Sequence, residues 1–502
     1  MRQVLDVETM RQSDARTIRD GISGRELMYR AAKGVMESYP WRGKTAIVCG
    51  AGNNAGDGYA LALLLRDAGI PCTVLRLSDR VSEDGAYYLE LCRERGIEIR
   101  PYTAAEELSA YAEIVDCIFG TGFRGTPEGV FAEVIEAINQ SGRPVISVDI
   151  NSGLDGDSGT YQLCVRSELT VSVGSYKTGH FLGSAKDVIG RLVNVDIGIE
   201  PIRVKAQLVE AGDFAEVFRP RRQDSHKGGY GYVSILGGCT SYSGAVKLAN
   251  MSCAALRAGG GVAQLVVPEG LCQSVSPYLL ESTLALLPEK DGKMIFDPAT
   301  LDRVLARQAA LAIGMGWGRS PEYSKILEHI LAHYAIPVVI DADGLNTLAV
   351  MDRAILAQTA CRVLLTPHMG EMERLLGVPI SEIRRDPIGV AARYAKNTNT
   401  CVLLKGATTV VTDGETTYLV DRGCAGMATA GSGDVLSGVL VGLLGHAPLT
   451  PLTAACGAFV AGLAGEMAEI DVNPVSMLAS DTVAHIGKAI TLILEGRVSS
   501  QQ

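Results

Sequence analysis

The stretch Thr45–Leu65, TAIVCGAGNNAGDGYALALLL, decides the fold. TAIVCG reads as a strand buried on both faces, the glycines after it as a tight turn, and GYALALLLRDAG as a helix. A strand running through glycines into a helix opens a parallel βαβ unit. The alternation continues. CTVLRL, IVDCIFG and PVISVDI read as strands, with EDGAYYLELCRERG and GVFAEVIEAINQSG as helices between them. LTVSVG and RLVNVDIG extend the sheet, and VETMRQSDARTIRDGISGRELMYRAAKGV precedes it as two outer helices. Short apolar strands between amphipathic helices imply a parallel sheet covered on both faces, so the fold class is α/β.

The pattern loosens after Pro201 and restarts at YVSILGG, placing a domain boundary near residues 212–222 and domains at 1–215 and 216–502. In the second part SGAVKLANMSCAALRAGGG and PEYSKILEHILAHYA read as helices. VAQLVVP, ALAIGMG, PVVIDADG, RVLLTPH and CVLLKGATTVVTDG read as strands. Two long helices, GDVLSGVLVGLLG and LTAACGAFVAGLAGEMAEI, close it, and the tail RVSSQQ is expected to be disordered.

The 502 residues are 47% hydrophobic and 20% charged, which is ordinary for a globular chain with a substantial core. A net charge of −10 argues against a nucleic-acid surface. The twelve cysteines form no C-x-x-C pair and sit mostly in apolar runs, so they are expected to be buried free thiols. The start, MRQVLDVETMRQSD, is too polar for a signal peptide, and the apolar runs fall short of a membrane span. The expectation is a cytoplasmic protein with no membrane partner, forming a homo-oligomer through apolar helices such as 452–470.

In the first half, glycines let the backbone approach a ligand, and a helix N-terminus favours an anion. Asn53 and Asn54 offer neutral oxygens suited to a weakly bound cation, although an Asn-rich helix-capping turn has the same appearance. Asn54, Asp116, Asp149 and Ser152 fall beyond the carboxyl ends of strands, where open parallel sheets bind ligands. GAGNNAGDG, DCIFGTGFRG and DINSGLDGD together resemble the signature loops of NAD(P)H-hydrate epimerases. The resemblance implies a Rossmann-like three-layer domain over residues 1–215 that binds a hydrated nicotinamide dinucleotide. It implies that K⁺ is held by Asn54, Asp116 and Ser152. The loops Asn53, Asn54, Ala55, Gly56, Asp57 and Gly120, Thr121, Gly122, Phe123, Arg124, Gly125, Thr126 would hold the dinucleotide, with Asp149 as acid/base. Ala55 stands where the family usually has glycine, and is expected to be tolerated if its φ is negative. Asn151 stands where the family often has proline. Lys177 in SYKTGHFLG could face the ligand, but the stretch favours a surface-loop lysine.

In the second half, five clusters fit phosphoryl transfer: HKGGYG, GGCTSYSGA, LLTPHMGEMERLLG with Glu371 and Glu373, LLKGATT, and TAGSGDVLSGVL. Gly431, Ser432 and Gly433 would present N–H groups at a helix start, while Asp434 is either a reacting base or simply an acid well placed in a first turn. Gly438 and Gly442, one turn apart, suggest close helix packing. HILAH spaces His329 and His333 like a zinc-protease pair, but Ile330 replaces the required Glu, so they read as surface histidines.

These clusters resemble the ribokinase-like superfamily, and more closely the ADP/ATP-dependent NAD(P)H-hydrate dehydratases, over roughly residues 220–495. The resemblance implies a ribokinase-like α/β domain in which Lys405, Gly406, Ala407, Thr408 and Thr409, with Met427 to Gly433, hold ADP or ATP accompanied by Mg²⁺. Ala245, Gly316, His368 and Asp434 would face the hydrated dinucleotide, with Asp434 the catalytic base. Ala430 stands where the family usually has glycine, and in GMGWG Trp317 is expected to alter packing over the nicotinamide. The implied protein is a bifunctional repair enzyme. Its N-terminal domain interconverts the R and S hydrates of NADH and NADPH, and its C-terminal domain dehydrates the S form by phosphorylating the ring hydroxyl. Two alternatives are a vitamin-precursor kinase fused to a dinucleotide-binding domain, and a nucleotide-sensing protein without turnover.

Overall fold

A computed structural model describes residues 1–218, 221–253 and 257–498. Part of the helix read at 243–261, part of the proposed linker at 212–222, and most of the tail RVSSQQ lie outside the described residues. The chain divides into two compact units, Arg2–Gln207 and Leu208–Val498.

The first unit opens with helices α1 (Val7–Arg19) and α2 (Gly24–Ser38), capped by Asp6 and Ser23 through hydrogen bonds to Thr9 N and Glu26 N. Strand β1 (Thr45–Cys49) is buried along its whole length and runs into α3 (Asn53–Asp67). Then follow β2 (Cys72–Arg76), α4 (Glu83–Glu94), β3 (Glu98–Pro101), β4 (Glu113–Cys117), α5 (Val130–Gln140), β5 (Val145–Val148), β6 (Ser167–Val173) and β7 (Ile189–Val195). The sheet order is β3-β2-β1-β4-β5-β6-β7, with every pair parallel.

The period-2 geometry of β1 explains the three layers. Ile47 and Cys49 join a core with Ala32 and Val35 of α2, Tyr59 and Leu61 of α3, and Leu89 of α4. Ala46 and Val48 point the other way, to Val134, Ile135 and Ile138 of α5. The strand β3 was not among those read from sequence.

The second unit contains β8 (Tyr232–Leu236), α6 (Ser243–Cys253), β9 (Val262–Pro268), β10 (Thr283–Leu287), β11 (Ala310–Ile313), α7 (Pro321–His333), β12 (Pro337–Ile340), β13 (Arg362–Leu365), α8 (Met369–Leu376), β14 (Cys401–Leu404), β15 (Thr409–Thr412), β16 (Thr417–Val420), α9 (Ser432–Leu444), α10 (Pro451–Val472) and α11 (Ala479–Leu494). Its strands run β10-β9-β8-β11-β12-β13-β14-β15-β16. The pairing is parallel from β10 to β14, then antiparallel to β15 and β16.

Helix α10 is long and apolar enough to cross a membrane, but 78% of its most apolar window is buried inside the protein. Gly438 and Gly442 let α9 approach its neighbours closely. A Cβ built at Gly438 would lie 2.1 Å from Ala249 O of α6, and one at Gly442 would lie 2.7 Å from Ala258 Cβ. All twelve cysteines are free, and nine of them are buried.

Two candidate active sites

Helix α3 starts at Asn53, so the sequence read as a loop over Asn53–Asp57 is its first turn. Its N-cap, Gly52, makes no side-chain cap bond, which leaves first-turn N–H groups directed at a cavity of about 510 Å³. Ala55 is helical and absent from the positive-φ residues, so the methyl fits as the negative-φ condition required. The cavity is lined by Asn53, Asn54, Asp57, Gly120, Thr121, Gly122, Phe123 and Asp149 of the expected residues. Phe119 stacks on Phe123 at 4.2 Å, giving it an aromatic wall. Ala55, Gly56, Arg124, Gly125 and Thr126 do not line it. Gly56 packs on Met28, and Arg124 turns to Asp155 and Asp157 at 3.5 and 2.9 Å.

Behind the cavity Asp116 is fully buried at the end of β4. Its Oδ1 accepts from Ser152 Oγ (2.5 Å) and Ile118 N (3.2 Å). Its Oδ2 accepts from Ser152 N and Ser147 Oγ (both 2.9 Å). Burial still pushes its carboxyl above the usual range. Asn54 donates to Phe119 O at 2.9 Å, but its buried Oδ1 has no hydrogen-bond partner. Asn54, Asp116 and Ser152 thus meet, with one neutral oxygen unsatisfied. Asn151 is satisfied in place of a proline: its Nδ2 serves Val165 O, Ser167 Oγ and Val188 O within 3.0 Å, and its Oδ1 accepts from Thr170.

Asp149 follows β5 with a left-handed φ of 67°. Lys177 corrects the sequence expectation: it is 1% exposed, lines the cavity and forms an ion pair with Asp149. Asp57 and Asp14 line the same cavity, and burial together with Asp149 raises both carboxyls. His180, Asp14 and Lys177 were missed as site residues.

In the second unit, the carboxyl ends of β12, β13 and β14 converge on the start of α9. Lys405 Nζ donates to Asp341 Oδ1 at 2.8 Å and stands 3.8 Å from Glu371. Asp341 also accepts from Ser437 Oγ at 2.7 Å. Burial works against the Asp341 charge, but Lys405 and the hydroxyls of Ser437 and Thr366 hold it below the usual carboxylate range. Burial likewise opposes the Lys405 charge, which Asp341, Glu371 and Asp434 restore. Glu371 is pushed up by burial. The sequence had placed Asp341 at a strand end without giving it a role.

Gly431 adopts φ 98° as N-cap of α9, with no side-chain cap. A Cβ at Gly433 would stand 3.4 Å from Lys405 Nζ, so the ammonium lies against this helix start. Asp434, half-buried in the first turn, is pushed up to about 7 by burial and by Asp341. A carboxylate with that value is matched to taking a proton at neutral pH.

His368 Nδ1 accepts from Gly370 N and Glu371 N, capping α8. Burial and Lys405 lower its pKa. Its backbone pairs with Lys405, bringing both expected residues together. Gly316 (φ 62°) lies against α6: a Cβ there would stand 2.5 Å from Tyr242 O and 3.1 Å from Ala245 Cβ. Trp317 is fully buried and stacks on Tyr323 at 4.8 Å. Gly406 and Ala407 are exposed, whereas Thr408 is buried against Asp421 at 2.9 Å. Thr409 begins β15. His329 pairs with Asp302 at 2.8 Å, while His333 is exposed.

The profile of the family described as "NAD(P)H-hydrate dehydratase" matches residues 233–488, and that described as "YjeF-related protein N-terminus" matches residues 24–179. A bifunctional NAD(P)H-hydrate repair enzyme of Moorella thermoacetica is 37% identical over 483 residues, covering 91% of this chain and 90% of the relative. The Escherichia coli enzyme of the same description is 32% identical, covering 94% and 90%. The crystal structure of a Bacillus subtilis ADP/ATP-dependent NAD(P)H-hydrate dehydratase, co-crystallised with ATP and Mg²⁺, matches with TM-score 0.50 and 25% identity. It covers 57% of this chain and 99% of the other. With relatives at this identity along nine-tenths of its length and a ribokinase-like dehydratase fold in its second unit, the chain belongs to the bifunctional NAD(P)H-hydrate repair enzymes.

Proposed function

We propose that the first unit interconverts the R and S hydrates of NADH and NADPH, and that the second dehydrates the S hydrate at the expense of ADP or ATP. The observation that carries the reading is Asp434, poised to accept a proton at about pH 7 beside Lys405 at an uncapped helix start. Asp434 removes the proton of the ring hydroxyl, and that oxygen attacks the terminal phosphate. Elimination of phosphate then restores the dihydropyridine, because phosphate leaves where hydroxide would not. Lys405, Gly406, Ala407, Thr408, Thr409 and the 427–433 segment hold the nucleotide, and Ala245, Gly316 and His368 face the dinucleotide. Mg²⁺ belongs to this reading as a cation held chiefly by the nucleotide's phosphates, whose charge it lowers.

In the first unit Asp149 acts as acid/base on the hydrate, which the Asn53–Asp57 turn and the Gly120–Thr126 loop hold. Asn54, Asp116 and Ser152 would hold K⁺, which supplies positive charge beside the buried Asp116. The unsatisfied Asn54 Oδ1 is the oxygen that supports this. Asn54→Ala should abolish any K⁺-over-Na⁺ stimulation of epimerisation. We further propose domains meeting near residue 215, a homo-oligomeric state and a cytoplasmic location, the last supported by the twelve free thiols.

The deciding experiment incubates mixed hydrates with ADP, ATP or neither, following dihydropyridine absorbance and free phosphate. Asp434→Asn should lose dehydration by roughly 10²–10⁴-fold while epimerisation survives. Asp149→Ala should do the reverse. A stable phosphorylated alcohol as product would replace this reading with a kinase, and normal dehydration in Asp434→Asn would remove the base assignment.

A further inference from the structure

Among the described residues Lys177 is the one lysine or arginine that is fully buried. Removing an ammonium from water is costly unless it is paired and hydrogen-bonded. Lys177 Nζ has three partners: Asp149 Oδ1, Val173 O at 2.7 Å and Ser172 Oγ at 3.5 Å. All three of its N–H groups are thereby engaged, so none is left for a ligand.

The rest of Asp149 is fixed as thoroughly. Its N–H donates to Val171 O at 2.8 Å, and its carbonyl accepts from His180 Nε2 at 2.9 Å. His180 Nδ1 accepts the Lys177 backbone N–H at 3.1 Å, which puts the imidazole proton on Nε2. Burial and the Lys177 charge lower the histidine to about 4, so it stays neutral. Lys177 thus grips Asp149 twice, directly through its ammonium and indirectly through the ring of His180. Oδ1 of Asp149 also accepts from Val173 N at 3.2 Å. Oδ2 faces Gly120, whose Cβ position would lie 3.9 Å away. Such constraint holds a left-handed, non-glycine residue in a conformation it would otherwise leave.

We infer that Lys177 is a positioning residue for epimerisation: it occupies Oδ1 of Asp149 and leaves Oδ2 as the oxygen presented to the hydrated ring. The inference rests on the assignment of Asp149 as acid/base. Misdirection of such a group lowers turnover more than substrate binding.

The test uses the full-length protein with R hydrate as substrate. Lys177→Met keeps most of the apolar stem and removes the charge. It should lower epimerase kcat roughly 10²-fold with KM within about threefold, leaving dehydration of S hydrate unchanged. Lys177→Ala should lose activity similarly and regain at least about tenfold with n-propylamine, which restores the missing stem and ammonium, but not with NaCl at equal ionic strength. Wild-type kcat in folded Lys177→Met overturns the inference. So does a loss in kcat that n-propylamine cannot restore in a folded Lys177→Ala. If Lys177→Ala does not fold, Lys177→Met decides alone. Asp149→Ala with normal epimerisation overturns the acid/base assignment instead, whatever the lysine variants do.

Discussion

A carboxylate in the first turn of a helix gains from the N–H groups there, yet Asp434 is raised from the usual 3.8 to about 7. Burial and the Asp341 charge raise it, against the lowering pull of Lys405. As a base it must be ionised, so dehydratase kcat/KM should fall to half near pH 7 on acidification and level off above about pH 8. A flat profile from pH 6 to 8 would contradict this. The stability effect has the opposite sign. A folded value above the unfolded one gives a contribution that is full below about pH 3.8 and lost as pH rises through about 7. Asp434→Asn should accordingly raise the melting temperature of the second unit by a few degrees at pH 8 and by less at pH 5. Asp116, Asp149 and Asp434 were legible because the first two sit at strand ends that run into glycine-bearing loops and the third follows Gly433 at a helix start. Lys177 was not, because SYKTGHFLG is polar and glycine-bearing, as exposed loops are. Its burial arises from contacts with Asp149, 28 residues away.

Helices α1, α2 and α4 begin with side-chain caps from Asp6, Ser23 and Ser82. Helices α3 and α9, at the two sites, begin at Gly52 and Gly431 without one. Leaving the first N–H groups unsatisfied by protein is tolerable where an anion arrives. At Gly431, φ 98° strains any side chain, and a built Cβ would stand 2.4 Å from Leu248 Cδ1, which would have to move. Gly431→Ala should cost about 1–3 kcal/mol and cut dehydration sharply, with epimerisation intact. Gly438→Ala should destabilise the second unit by about 1–3 kcal/mol by forcing α9 from α6. Urea unfolding with site-specific probes measures both. The helix and central-strand pattern was readable because burial on both faces makes β1, β11 and β12 nearly continuous apolar runs. The strand β3 was not, since it lies at a sheet edge. There Glu98 and Arg100 break the apolar run of β3, and edge position removes the need for burial on both sides.

At the scale of the whole molecule, each unit has its own core, its own lysine paired with a buried or half-buried aspartate, and its own carboxylate near glycines. Lys177 with Asp149 and Lys405 with Asp341 are the two pairs. Lesions in the two sites share no partners, so Asp149→Ala combined with Asp434→Asn should lose both activities by the same factors as the single variants. A further loss beyond that product would reveal coupling. The buried cysteines have another consequence. Cys49, Cys92, Cys117 and Cys164 lie in the first unit, and Cys239, Cys253, Cys361, Cys401 and Cys456 in the second. A thiol shut away from solvent meets an alkylating reagent only when its surroundings open, so these nine sulfurs act as clocks distributed through the chain. Read by mass spectrometry, they time the opening of each half separately within one sample. ADP with Mg²⁺ should slow the five later clocks and leave the four earlier ones running at their own pace.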